Sequence, residues 1–317
     1  MLEARWSRRS VLKAIPRLAF GAVGIAHGEN QQSVRWSAGT ELPKTKVPAH
    51  ATDCHHHIYD ARFPVDPKAV LRPPDATVAD YRLVQKRLGT TRNVIIQPST
   101  YGLDNRLLLE ALGQFGRASA RGIAVVNPDI ADAELKRMHA AGVRGIRFNL
   151  VQAGATTLDM MDPLSKRVAP LGWHIQIHAL ADQIGAAKDL WNRVPCPVVF
   201  DHLGRLPEPQ GISHPAFGVI CALLQRGKAW LKLSGFYMDT KVGPPSYADS
   251  VEVAKAYVKE APERLVWGSD WPHPTVTENE KKPNDAILLD LLAVCVPEAA
   301  MRNRILVDNA SKLYGFA

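Results

Sequence analysis

The 317-residue sequence predicts a (β/α)8 TIM barrel, and three observations carry that expectation. Eight short apolar, β-rich runs alternate with longer segments of helical period, which means parallel strands joined by helical crossovers. Runs such as Val94-Ile95-Ile96 and Pro197-Val198-Val199-Phe200 are apolar at every position, as strands covered on both faces must be. Eight such units over about 265 residues match the usual size of this barrel. The rival, a doubly wound open sheet for a dinucleotide, lacks its Gly-x-Gly-x-x-Gly after the first strand.

In chain order, the first strand is expected over Thr52–Ile58 and the first helix over Val78–Leu88. The second pair is Asn93–Gln97 and Asn105–Ala120, the third Gly122–Asn127 and Asp132–Ala141, the fourth Val143–Asn149 and Pro163–Leu171. The fifth is His174–His178 and Gln183–Arg193, the sixth Val198–His202 and Pro215–Arg226. Trp230–Ser234 with Tyr247–Glu260 and Leu265–Ser269 with Asp285–Val296 complete the set. Residues 51–317 therefore read as one barrel domain, preceded by a polar, Pro-containing arm over 31–50.

Composition narrows the function. Hydrophobic residues make up 46% and charged residues 22%, which are globular values. No uncharged apolar run reaches the ~18 residues of a spanning helix, so no membrane insertion is expected. The net charge is +8, but five basic and two acidic residues fall within positions 1–30, leaving 34 basic against 29 acidic residues. That mild excess has no basic block, so nucleic acid is not an expected partner, whereas a small anionic substrate is. Cys54, Cys196, Cys221 and Cys295 form no close-spaced pair and read as buried thiols, with Cys54 turned away from the face of its histidine neighbours.

The leader reads as an address. Ser7-Arg8-Arg9-Ser10-Val11-Leu12-Lys13 precedes the apolar stretch Leu18–Ala26 and resembles a twin-arginine export signal over residues 1–30. Cleavage is expected near Ala26 and the mature protein in the periplasm, with the Tat export machinery as a partner; a homo-oligomer is left open.

In such a barrel, chemistry sits at the carboxyl ends of the strands. Here those ends carry Asp53-Cys54-His55-His56-His57, Gln97-Pro98-Ser99, Arg147 and Asn149, His178, Asp201-His202 with Arg205, Ser234, and Ser269-Asp270 running into His273. His55 and His57 are two apart and share one face of their strand, so both can point into the mouth. Closure of the barrel brings His178 and Asp270 beside them. Three neutral imidazoles and a carboxylate form a competent set for one divalent ion such as zinc. Arg147 and Arg205 offer planar forks for carboxylates, against a structural ion pair as the plainer reading. Ser99 serves equally as a helix cap, His273 as a turn residue, and His174 lies at the far end of its strand. Asp201 should point away from His202, into the helix layer or to a supporting pair behind the site.

These strings resemble the amidohydrolase superfamily, and locally its amidohydrolase-related, 2-pyrone-4,6-dicarboxylate lactonase-like family. The matches are Asp53-Cys-His55-His-His57, Gln97-Pro-Ser99-Thr-Tyr-Gly-Leu-Asp104-Asn105, Gly145-Ile-Arg147-Phe-Asn149, Gln176-Ile-His178, Asp201-His202-Leu-Gly204-Arg205, Lys232-Leu-Ser234-Gly235 and Trp267-Gly-Ser-Asp270-Trp-Pro-His273. The resemblance implies a hydrolase opening a small carboxylated lactone, with Asp270 as general base or acid and His178 beside it as a catalytic residue. His55, His57, His178 and Asp270 would hold one ion or, without it, polarise the carbonyl. Ser99, Arg147, His202, Arg205 and His273 would bind substrate. The bridging lysine of two-metal members has no counterpart in Val143–Asn149, so a binuclear centre is not expected. The lactonase group is understood to work without a divalent ion, so one ion or none stays open. The alternatives are a metal-dependent decarboxylase or hydratase of the same superfamily, and a catalytically idle solute-binding barrel.

Overall fold

The computed structural model describes residue 1, residues 33–152 and residues 154–317; the export-signal and cleavage-site expectations lie outside the described residues. The eight strands are β1 (Thr52–His56), β2 (Arg92–Ile96), β3 (Ala120–Ala124), β4 (Val143–Asn149), β5 (His174–His178), β6 (Val198–Phe200), β7 (Ala229–Leu233) and β8 (Leu265–Trp267). They form one parallel sheet in sequential order. The helices are α1 (Val78–Leu88), α2 (Arg106–Phe115), α3 (Asp132–Ala141), α4 (Met161–Val168), α5 (Ala181–Ala186), α6 (Lys188–Arg193), α7 (Pro215–Gln225), α8 (Ala248–Glu260), α9 (Asp285–Cys295), α10 (Ala299–Asn303) and α11 (Asn309–Tyr314). Among the described residues no helix is long and apolar enough to cross a membrane.

Local chemistry explains where the elements begin and end. Thr77 and Asp80 cap α1 reciprocally, and Gly89 ends it at φ 78°. The helix expected over Asn105–Ala120 stops at Phe115, because Gly116 turns the backbone out at φ 83° and Ala120 already pairs with Asn93. The Asn105 side chain accepts from Val125 N and donates to Val125 O, peeling β3 off its ladder after Ala124 rather than at Asn127. The helix expected over Gln183–Arg193 is broken at Ala187. There the Trp191 indole donates to Ile184 O at 2.8 Å, a carbonyl that a continuous helix would use itself.

The seam between β8 and β1 closes the barrel. Asp270 N donates to His55 O (2.7 Å) and His57 N to Trp271 O (2.8 Å). Asp53 braces the seam, since its carboxylate accepts from His55 N, Ser269 N and the Ser269 and Tyr81 hydroxyls. By occupying His55 N it also creates a bulge, visible as a register shift between Asp53 and His56. Cys54 then turns inward, contrary to the simple alternation expected for it. It packs at the barrel floor with Val94, Ile96, Ile123, Val199, Trp230 and Val266. His56 faces outward, stacked on Tyr81 with ring centroids 3.5 Å apart.

The chain after α9 plugs that floor. Ala310, Tyr314 and Phe316 join the cluster around Cys54, and Arg92 and Arg121 lie over the Phe316 ring. His174 meets Tyr314 edge-on here, far from the mouth. At the other end the arm lies along α9, where Lys44 N and Thr45 N donate to Asp290 and the Trp271 indole donates to Arg35 O.

Gly268 sets the spacing of the seam: a Cβ there would stand 2.6 Å from His55 Cβ and 2.8 Å from His55 N. Gly268→Ala should therefore force β8 away from β1 and cost about 2 kcal/mol. In a thermal melt we expect Tm to fall by about 4–8 °C, and an unchanged Tm would contradict the tight seam.

Candidate active site

The strand ends deliver their polar residues to one cup. β1 brings His55 and His57, whose Nε2 atoms are 3.3 Å apart. The turn after β8 brings Asp270, with Oδ1 3.3 Å from His55 Nε2 and 3.5 Å from His57 Nε2. Past β6 comes His202, its Nε2 3.9 Å from the same oxygen and its Nδ1 3.0 Å from Ser234 Oγ. Asp270 (φ 63°), His202 (φ 50°), Arg205 (φ 51°) and His273 (φ 55°) all adopt left-handed backbone. Such strain costs about 1–3 kcal/mol per residue and persists where surrounding structure holds it.

The Asp270 carboxylate is used unevenly. Its Oδ2 accepts from the Tyr237 hydroxyl at 2.6 Å, whereas Oδ1 has no hydrogen-bond partner among the described residues. Burial opposes its ionisation, but His202, His57 and His55 outweigh that and hold the carboxyl well below the usual carboxylate range. Burial, helped by Lys232, pushes His55 down to about 3, and burial does the same to His202. At neutral pH His55 and His202 are thus uncharged beside one carboxylate.

The other expected residues divide. His57, Ser99, Arg147, His178, His202 and Asp270 line one cavity. Arg147 enters it from β4, with Nε lacking a hydrogen-bond partner among the described residues and lying 3.6 Å from Asp201 Oδ2. Ser99 opens a 3₁₀ turn, Ser99–Tyr101. Arg205 is instead committed to a bidentate pair with Asp239 (2.7 and 3.0 Å), and its remaining donor meets His178 Nε2 at 3.0 Å. His178 consequently sits apart from the metal-ligating geometry expected of it. His273 points behind the site to Asp285 (3.3 Å), not into the cavity. Of the two placements expected for Asp201, the structure has the supporting pair: it lies under the cup, 3.3 Å from His55 Nδ1 and 3.4 Å from Lys232 Nζ.

The residues can hold an ion. His55, His202 and Asp270 offer ligand atoms that all lie within 4.8 Å of one another. Bonds of about 2.1 Å to a tetrahedral ion place ligand atoms about 3.4 Å apart. The separations within His55, His57 and Asp270 are 3.3, 3.3 and 3.5 Å.

Sequence reading missed Tyr237, Lys232 and Gln176 as site residues. The last two were within reach of strand alternation: they lie two residues before Ser234 and His178, on the same inward face one layer deeper. Tyr237 lies in an irregular segment after β7, where no period points to it. Two other grooves lie near the mouth. One, between α2 and α3, has its charges paired as Asp104–Arg106 and Glu134–Arg137, and the other, beside α5, is lined without an ionisable side chain.

Comparison with known proteins agrees with this geometry. The family model described as amidohydrolase matches residues 52–316. The chain is 35% identical to a 2-pyrone-4,6-dicarboxylate hydrolase from Comamonas testosteroni, covering 88% of this chain and 94% of the relative. It is 33% identical to a 4-sulfomuconolactone hydrolase from Rhizobium radiobacter, covering 85% and 91%. An apo crystal structure of an Agrobacterium tumefaciens protein superposes with a TM-score of 0.83 at 27% identity, covering 89% of this chain and 99% of the other.

Removing the Tyr237 hydroxyl should make Asp270 easier to protonate, because a donor that favours the charged form is lost. In the general-base role expected for Asp270, the carboxylate works only when deprotonated, so activity should fall as pH drops through its pKa. For Tyr237→Phe we expect the acid limb of kcat/KM to move to higher pH, with kcat reduced about 10-fold. An acid limb that stayed in place would detach Tyr237 from the base.

Proposed function

The chain belongs to the amidohydrolase family, and from that premise we propose that it hydrolyses a small carboxylated lactone. One observation carries the reading: among the described residues a buried carboxylate oxygen, Asp270 Oδ1, stands without a hydrogen-bond partner amid three imidazoles, in a cavity shared with the likewise unpartnered Arg147 Nε. The named activities of both curated relatives, a pyrone dicarboxylate hydrolase and a sulfomuconolactone hydrolase, support an anionic cyclic ester over decarboxylation, hydration or binding alone.

Asp270 Oδ1 takes a proton from water, and the hydroxide oxygen bonds to the lactone carbonyl carbon. His202 faces the carbonyl oxygen as charge builds on it. The carbon–ring-oxygen bond then breaks, and the proton on Asp270 passes to the ring oxygen. The new carboxylic acid gives its own proton to solvent, so one water is added overall. Arg147, with Ser99 nearby, holds a substrate carboxylate and fixes the ring. Leu71, Pro98, Met238 and Pro274 supply apolar walls for the ring faces. A divalent ion held by His55, His57 and Asp270, with His202 beside them, would supply a Lewis acid for the carbonyl.

Asp270→Asn should lower kcat on a 2-pyrone-4,6-dicarboxylate or sulfomuconolactone panel by about 10³-fold with the fold retained. Arg147→Ala should instead raise KM about 10–100-fold, the worth of a charge-assisted contact. Near-native turnover by Asp270→Asn would sink the mechanism, and no hydrolysis of any lactone by the wild type would sink the function.

We also infer, from the leader alone, that the protein is exported to the periplasm by the twin-arginine route. Replacing Arg8 and Arg9 with lysine should strand it in the cytoplasm on cell fractionation; unchanged export would refute this address.

A further inference from the structure

Beneath the cup lies a cation that no step above uses. Lys232 is fully buried on β7. Its Nζ donates to Gln176 Oε1 at 2.7 Å, and it stands 3.2 Å from His55 Nδ1 and 3.4 Å from Asp201 Oδ1.

The protons around it can be placed one at a time. His57 Nδ1 lies 2.8 Å from Ile96 O, and a carbonyl only accepts, so His57 carries its proton on Nδ1 and a lone pair on Nε2. That lone pair is 3.3 Å from His55 Nε2. Two lone pairs at this distance repel, so His55 carries its proton on Nε2. A second proton on the His55 ring is opposed by the ammonium beside it, which leaves Nδ1 as an acceptor facing Lys232. Asp201 Oδ1 is as close to Nδ1, at 3.3 Å, yet finds no hydrogen-bond partner because it lies out of line with the ring. Alignment, not distance, selects the lysine.

We propose that Lys232 is a positioning residue that fixes the tautomer of His55, so that this histidine meets the cup as an N–H donor rather than as a lone pair. Without the ammonium, Nδ1 faces only the Asp201 carboxylate. The proton then moves to Nδ1, and a lone pair on Nε2 opens toward His57 and Asp270. Lys232 is thus an internal control on ion affinity, because a neutral imidazole binds a metal only through an unprotonated nitrogen. The inference rests on the lactonase reading only for the use made of His55 in turnover.

The test needs no substrate. Long-range proton–nitrogen NMR of histidine-labelled protein reads the tautomer. Zinc retained after incubation with equimolar zinc and desalting reads ion affinity. In the wild type we expect His55 protonated on Nε2 and well under one zinc per chain. In Lys232→Met we expect protonation on Nδ1 and zinc held at least about 10-fold more tightly. That variant leaves Asp201 as an unpaired buried charge, so Lys232→Met/Asp201→Leu is measured beside it. With both charges gone, His55 should populate both tautomers. A wild-type His55 protonated on Nδ1, one zinc held tightly by the wild type, or an Nε2–H signal unmoved in whichever variant folds would overturn the proposal.

Discussion

The approach of β8 to β1 is the constraint on which the site depends. Asp53 reaches across that seam to both backbone and hydroxyl of Ser269, and Gly268 permits the contact by having no side chain. His55, His57 and Asp270 all sit within two or three residues of the join. The bulge that lets Cys54 and His55 both face inward arises because Asp53 takes the His55 amide, and Asp270 is aimed by donating its own amide to His55 O. One buried carboxylate therefore sets the geometry of another.

The second layer is electrostatic. Lys232, Asp201 and Gln176 form a closed, buried polar set at a depth where isolated charges would be expensive. Asp201 would be raised by burial, but Lys232 reverses that and keeps it ionised, while burial and the opposing pull of Asp201 leave the lysine below its ordinary value. With these two charges compensating each other, the layer above can consist of uncharged imidazoles and a single free carboxylate. Such a site polarises a carbonyl without first having to neutralise itself.

Much of this was legible in the sequence. The alternation of β-rich and helical runs is a property of composition and period, so the barrel, its strand order and the cluster of polar strand ends could be read directly. What failed was local. Alternation predicts Cys54 outward, but a side chain from the preceding residue captures the next amide and adds a residue to the strand. Of the two placements the sequence offers Asp201, the helix layer falls away because β6 ends at Phe200 and a left-handed turn begins at His202. Arg205 and His273 were placed near the site, but their partners, Asp239 and Asp285, lie in irregular or distant segments. Residue type alone cannot say which arginine is spent on a neighbour.

The plug at the barrel floor has a kinetic consequence. Tyr314 and Phe316 close the end opposite the mouth, so traffic is confined to a single doorway. On the proposed lactone hydrolysis, the opened ring would leave by the path its precursor used, bearing one more negative charge. Near Asp270 that extra charge would be repelled, and near Arg147 retained. The two side chains would then divide between them the eviction and the lingering of the spent molecule, and hence how strongly accumulated product competes for entry.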